Sequence, residues 1–142
     1  MAINRYLQEV AMSSQQDPIA VAVARAHVEA WGNHEYDKAR ASLAADVHVL
    51  AVSVDPEAPR TDLSGVDAYM EGLVGFGQIV LPGTTRVASG VGDDNRALLH
   101  VTSKVQFGPD AAEMDHHQAR LYRLDGDQKI VDEQVVFLVL PQ

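Results

Sequence analysis

The chain contains no cysteine. That one absence removes disulfides, thiolate nucleophiles and thiolate metal ligands together, and it suits a reducing interior. Positive charge is scarce: 11 Lys and Arg stand against 20 Asp and Glu, for a net charge of −9. Such a balance argues against nucleic acid and against anionic membrane surfaces as partners, and favours solubility. No apolar run approaches membrane-spanning length. The opening stretch MAINRYLQEVAMSS lacks a charged start followed by an apolar core, so it reads poorly as a signal peptide. Internal repeats and low-complexity segments are also missing. A cytoplasmic protein with no nucleic-acid or membrane partner is the expectation. The 142 residues, 46% of them apolar, suffice for one domain with a real core.

What is present begins with a weak helical spacing over residues 1–12 and a polar hinge at 13–16, read together as an N-terminal arm over 1–16, ahead of a single domain over 17–142. Asp17-Pro18 predicts a helix start, with an oxygen-bearing cap and proline at the first helical position. The helix runs to about Gly32, and Ile19, Val23, Ala26, His27, Ala30 and Trp31 share one side at helical spacing. A short helix, YDKARASLA, follows a turn and places Tyr36, Ala39 and Leu43 inward. Val47 to Val54 alternates like a strand. Asp55 to Leu63, with two prolines, predicts a loop able to cover a pocket mouth. Ser64-Gly65-Val66-Asp67 has capping-box spacing and opens a helix with Val66, Tyr69, Met70 and Leu73 inward, fading in Gly72, Gly75 and Gly77. Those glycines neither follow a strand nor open a helix, so they do not predict a phosphate-cradling loop. Ser53, Ser64 and Ser103 lack a nucleophile-elbow context.

Val80 to Val91 predicts another strand, turned by Gly92-Asp93-Asp94-Asn95 into three more: RALLHVTSKVQF, EMDHHQARLYRL and KIVDEQVVFLVL. The fold class is therefore α+β, with helices on one face of an antiparallel sheet. A sheet with two half-apolar faces needs two covers. Helices supply one, and a second copy in a homodimer is the expected other.

This order, with the phrases HVEAWGNHEYDKARASLAADVHV, LSGVDAYMEGL and RLYRLDGDQKIVDEQVVF, resembles the SnoaL-like branch of the nuclear transport factor 2-like superfamily over residues 17–140. The resemblance implies the cystatin-like cone, a curved antiparallel sheet wrapped by three N-terminal helices, with a pocket inside. It implies the range of ketosteroid isomerases, polyketide cyclases, dehydratases, epoxide hydrolases and proteins with no chemistry. The isomerases' pocket tyrosine corresponds to a position at or near His27, and their general-base aspartate to one near Ala51. Their oxyanion-hole acid lies three residues before the arginine matching Arg123, and corresponds to Arg120. The cyclases' histidine falls at the same position, and their aspartate near Val135. Neither catalytic set is present in this chain.

A four-residue loop Asp125–Gln128 would set Leu124 opposite Lys129, Tyr122 opposite Val131, Arg120 opposite Glu133, Gln118 opposite Val135 and His116 opposite Phe137. Met114, His116, Gln118, Arg120, Tyr122, Val131, Glu133, Val135, Phe137 and Val139 then share one face, which the resemblance turns toward the pocket. Asp115, His117, Ala119, Leu121, Ile130, Asp132, Val136 and Leu138 share the other, apolar enough for a dimer surface. Arg120 and Glu133 are the sharpest catalytic candidates. Arginine binds an anionic or enolic oxygen, while the carboxylate it keeps ionised orients the ligand or takes a proton. A cross-strand salt bridge that merely satisfies the sheet is the alternative. His116 and His27 are candidate second donors, each also readable as a satisfied core histidine. Trp31, Tyr69, Gln118, Tyr122, Val135 and Phe137 are candidate substrate contacts, although Tyr69 and the His27–Trp31 pair also read as core packing. His100, Thr102 and Lys104 form a solvated or dimer-facing stripe. His116 and His117 point to opposite faces, and no two histidines stand at metal-binding spacing, so neither a metal nor a cofactor is expected. The expected ligand is a small, hydrophobic, oxygenated molecule. The expected role is an isomerase, dehydratase or cyclase without cofactor, or a non-catalytic binding or dimerisation module.

Overall fold

The computed structural model describes residues 16–138. The arm, Gln16 excepted, and Val139 lie outside the described residues. Three helices, α1 (Ile19–Gly32), α2 (Tyr36–Ala41) and α3 (Val66–Gly77), pack on one side of a six-stranded, curved, unclosed sheet. Its strands are β1 (Leu43–Ser53), β2 (Thr61–Ser64), β3 (Arg86–Gly92), β4 (Arg96–Val105), β5 (Met114–Leu124) and β6 (Ile130–Leu138), in the spatial order β2-β1-β6-β5-β4-β3. The α+β class is as expected. The sheet is not wholly antiparallel, because β1 runs parallel to β6. No helix among the described residues is long and apolar enough to cross a membrane.

Local chemistry departs from expectation at several ends. Pro18, not Asp17, precedes α1, and no side chain caps it. Asp17 instead accepts a hydrogen bond from Arg25 Nε at 2.9 Å. The buried stripe of α1 is Ala20, Val21, Ala24, His27, Val28 and Trp31, whereas Ile19 and Ala26 are exposed. Two alanines let the helix lie close to the sheet, which turns the bulkier Ile19 outward. The capping box at Ser64 does not form either. Gly65 takes the position before α3 with φ +92°, a left-handed conformation glycine adopts without strain, and Asp67 pairs with Arg40 across to α2. The helix continues through its glycines to Gly77. At Gly72 a Cβ would come within 2.7 Å of Leu63 Cδ1, so the glycine lets β2 close down on α3. The expected strand 80–91 is shorter. Pro82-Gly83 breaks it, leaving Val80 a lone bridge to Val105 before β3 begins.

The expected loop 55–63 ends in β2, an edge strand antiparallel to β1. Thr61 and Leu63 point inward, and His48 on the outer face of β1 ties the edge down. His48 Nε2 lies 2.7 Å from Asp62 of β2, and Nδ1 lies 3.2 Å from Asp132 of β6. These bonds, that to Asp62 first, raise the pKa of His48 above its ordinary value. A raised folded pKa means the clamp acts fully below the unfolded value and is lost as pH rises through the folded one. The side chain is 39% exposed, so the effect is small and salt-sensitive. The melting-temperature advantage of the wild type over His48→Gln is expected to shrink as pH rises from below 6 to about 8. An advantage that stays constant across that range would remove the clamp.

Candidate functional site

The β5–β6 hairpin supplies the polar centre. Its connection is five residues, 125–129, rather than four. Asp125 Oδ1 accepts from the amides of Asp127 and Lys129 at 2.9 and 3.0 Å, and Gln128 adopts φ +61°. An extra residue bulges in β6 between the Arg123↔Asp132 and Leu124↔Ile130 pairs. Tyr122 consequently faces Glu133, Arg120 faces Val135 and Gln118 faces Phe137. The register is displaced by two residues from the expected one, and the bulge puts Ile130 inside the core, where the expected alternation had Val131. A shift of two preserves the face, because side chains alternate with period two. Arg120 and Glu133 are therefore diagonal neighbours on the inner face, with Nη1 donating to Oε1 at 2.7 Å.

Both groups are 2% exposed and form the floor of a cavity of about 280 Å³. Val49 and Ala51 of β1, Thr61 and Leu63 of β2, Tyr69, Gly72, Leu73 and Phe76 of α3, and Val135 and Phe137 of β6 complete its walls. The lining is apolar apart from Arg120, Glu133, Tyr69 and Thr61. The volume is near the low end of the roughly 300–1,000 Å³ typical of ligand sites, which suits a small molecule.

The buried ion pair is held from both sides. Arg120 Nε donates to Gln118 Oε1 at 2.6 Å, and the guanidinium lies 4.7 Å above the Trp31 ring. Among the described residues Nη2 has no hydrogen-bond partner. Burial opposes its charge, but Tyr122, Glu133 and Tyr69 together raise its pKa. Glu133 Oε2 accepts from the Tyr69 hydroxyl at 2.7 Å, and Tyr69 OH lies 2.9 Å from His27 Nε2. Burial, then the charge of Glu133, drives both Tyr69 and Tyr122 well above the ordinary tyrosine value, so both stay protonated. The Tyr122 hydroxyl lies close enough to Arg120 and Glu133 to feel their charge, yet it meets no partner in hydrogen-bond geometry among the described residues.

A model of the SnoaL-like domain matches residues 24–133. The chain belongs to the SnoaL-like domain family. No curated protein matches this SnoaL-like chain by sequence. Among solved structures, it is similar to a protein from Kribbella flavida at 24% identity, covering 82% of this chain and 84% of that one with a TM-score of 0.65. A protein with a cystatin-like fold from Silicibacter pomeroyi is 21% identical, with 82% and 74% covered and a TM-score of 0.64. An LEH-like epoxide hydrolase from M. tuberculosis is 18% identical, with 84% and 82% covered and a TM-score of 0.63. At these identities the likeness concerns the fold, here the cystatin-like cone.

Of the candidate side chains, Arg120, Glu133, Tyr69, Val135 and Phe137 line the SnoaL-like cavity. His27, Trp31, His116, Gln118 and Tyr122 stand behind its wall. His116 accepts from Gln118 Nε2 at 3.2 Å and packs against Phe76 and Phe137. Burial and then the charge of Arg120 push its pKa down to about 4, so it is neutral at pH 7. It holds Gln118, which holds Arg120. Sequence reasoning missed Thr61, Leu63, Leu73 and Phe76 as cavity lining; the inward spacing of Leu73 with Tyr69 was the available signal. It also missed Ser42, 2.8 Å from His27 Nδ1. His100 and His117 meet across β4 and β5 at 2.9 Å on the outer face. Among the described residues no group of three His, Cys, Asp or Glu is arranged to hold a metal ion.

Proposed function

We propose that this chain binds a small, largely apolar molecule carrying an oxygen function and acts on it by cofactor-independent acid–base chemistry: isomerisation, dehydration or cyclisation. The observation that carries the reading is the Arg120–Glu133 pair, buried at 2.7 Å on the floor of an apolar cavity. Charge developing on a ligand oxygen there is stabilised by Arg120, whose Nη2 is the available donor, in a site that excludes water. Glu133 takes or returns the proton. Removing water strengthens both interactions. In the same proposal, a second copy covers the outer sheet face, where Leu98, Leu121 and Val136 are exposed.

A second reading, binding without chemistry, is favoured by one fact: both Glu133 oxygens already accept hydrogen bonds. One experiment separates the two. Trp31 is the only tryptophan and lies under Arg120, so its emission reports ligand arrival. Titration with hydrophobic ketones, polyketides and carboxylic acids is expected to shift that emission and raise the melting temperature, by the equivalent of about 2.7 kcal/mol at a hundredfold excess over Kd. Turnover of the ligands that bind is expected to vanish in the double variant Arg120→Met/Glu133→Leu. Turnover that survives the double variant overturns the catalytic assignment, binding without turnover selects the second reading, and no response to any ligand overturns both.

A further inference from the structure

Glu133 has almost no access to water, and a ligand in the cavity would close what remains. A group that moves protons must nevertheless be reset. A second route leads away from the cavity. Glu133 Oε2 lies 2.7 Å from Tyr69 OH, Tyr69 OH lies 2.9 Å from His27 Nε2, and His27 Nδ1 lies 2.8 Å from Ser42 Oγ. Tyr69 and His27 are buried. Ser42, which follows α2, is half-buried and reaches the surface.

We infer that Glu133, Tyr69, His27 and Ser42 form a proton wire that connects the cavity floor to the half-buried Ser42, where α2 passes into β1. The inference rests on the proposed role of Glu133 in proton transfer, and it assigns His27 and Ser42 to proton delivery rather than to contact with the ligand.

The proton count along the chain has two consistent solutions. With Glu133 as a carboxylate, the Tyr69 O–H donates to Oε2. His27 must then donate its Nε2–H to the Tyr69 oxygen, and Nδ1 is bare and accepts the Ser42 O–H. With Glu133 protonated every bond reverses. The carboxyl O–H donates to Tyr69, the Tyr69 O–H donates to Nε2, and His27 carries its proton on Nδ1. The Ala39 carbonyl lies 3.0 Å from Nδ1 and 2.8 Å from Ser42 Oγ. It can accept from either in the second state, and in the first, with the Ser42 proton turned to Nδ1, it keeps only the Ser42 amide at 3.3 Å.

Passage from the second state to the first balances. The Glu133 proton moves to the Tyr69 oxygen, the Tyr69 proton to Nε2, the Nδ1 proton to Ser42, and the Ser42 proton to water. One proton leaves the cavity and one enters solvent, while the imidazole is neutral before and after. Burial, opposed by Glu133 and the Ala39 carbonyl, lowers the His27 pKa and keeps the ring neutral at pH 7. An imidazole that changes tautomer without holding charge suits a buried relay, because a lasting charge there would be costly.

The wire predicts that the tautomer of His27 is set by the protonation state of Glu133, whose Oε2 is 4.0 Å from Nε2 and shares no hydrogen bond with it. Glu133→Gln mimics the protonated acid. Its amide oxygen accepts from Arg120 and its N–H donates to Tyr69. Long-range proton–nitrogen correlation spectra of protein with labelled histidine distinguish the tautomers. The wild type at pH 7 is expected to carry the His27 proton on Nε2, and Glu133→Gln to carry it on Nδ1, with the two nitrogen shifts exchanging character. Tyr69→Phe keeps the Arg120–Glu133 pair but removes the hydrogen-bond partner of Nε2, whose nearest remaining acceptor, Glu133 Oε2, is 4.0 Å away and beyond hydrogen-bond reach. It is expected to give the Nδ1 form by itself, and adding Glu133→Gln should then change nothing further. A His27 tautomer that is the same in the wild type and Tyr69→Phe overturns the wire, even if Glu133→Gln fails to fold. So does a Glu133→Gln effect that persists without the Tyr69 hydroxyl. These measurements need no ligand. Failure to find a ligand would count against the proposed function alone, and an immovable tautomer against the wire alone.

Discussion

Glu133→Ala is expected to destabilise the fold by about 3–5 kcal/mol, because it strands a buried guanidinium. Arg120 is 2% exposed, and the carboxylate is the counter-charge given by the pair at 2.7 Å. The substitution also takes away the carboxylate that accepts from Tyr69, whose hydroxyl must then turn to His27 Nε2. Against a total stability of about 5–15 kcal/mol, a loss of this size brings a domain close to unfolding. Urea denaturation checks it: the midpoint falls while the slope stays near the wild-type value. The double variant Arg120→Met/Glu133→Leu separates stability from function. Removing both charges together leaves no stranded ion, and such exchanges are often neutral or stabilising by about 1–4 kcal/mol. The double variant is therefore expected to be more stable than Glu133→Ala while lacking the proposed activity. A single variant that loses under about 1 kcal/mol would mean that the pair is not sealed from water.

Trp31→Ala carries the next largest expected effect. The indole is 1% exposed, sits edge-on to Phe76 at 5.8 Å, and lies beneath the Arg120 guanidinium. Truncating a buried indole costs about 3–5 kcal/mol through lost burial and the cavity left behind. Here it also removes the surface that fixes the guanidinium in place. Trp31→Phe should behave differently. The indole N–H finds no acceptor among the described residues, so phenylalanine keeps an aromatic face and discards an unsatisfied donor. Its expected cost is under about 1.5 kcal/mol, as for volume-tolerant core exchanges. Thermal and urea unfolding of the two variants check the contrast. Equal losses would show that the N–H is satisfied after all.

Much of the cone was legible in the chain. Long alternating runs near the C-terminus fixed β4, β5 and β6, because period two with sharp turn residues is a strong signal. Arg120 and Glu133 were placed on one inner face even though the register was displaced by two residues. A five-residue loop and a bulge at Val131 cannot be told from a four-residue loop by sequence, but an even displacement leaves the inner set of Arg120, Gln118 and Glu133 intact. Ile130 shows the limit, because the bulge carried it into the core against simple alternation. Most of strand β2 was hidden inside DPEAPRTDL, where prolines and acidic residues mask Thr61, Asp62 and Leu63, which pair only because β1 lies beside them. Pairing of β1 with β6 joins segments some 80 residues apart in the chain, and no local pattern encodes it. The relay of Ser42, His27 and Tyr69 was invisible for the same reason, since its members come from three separate segments. His27 and Tyr69 were each noted alone, but their spacing spoke only of core.

The parallel seam between β1 and β6 governs when the cavity comes into being. One half of its wall comes from residues 49–76 and the other from residues 120–137, and β1, paired early with β2, finds its second neighbour only in the last described strand. During synthesis the earlier half waits, its apolar side uncovered, until β6 has left the ribosome. Long-range pairing of this kind slows folding and exposes the nascent chain to misassociation. The cavity is thus among the last features to mature, and a chain cut short before Ile130 would hold helices and strands but no chamber.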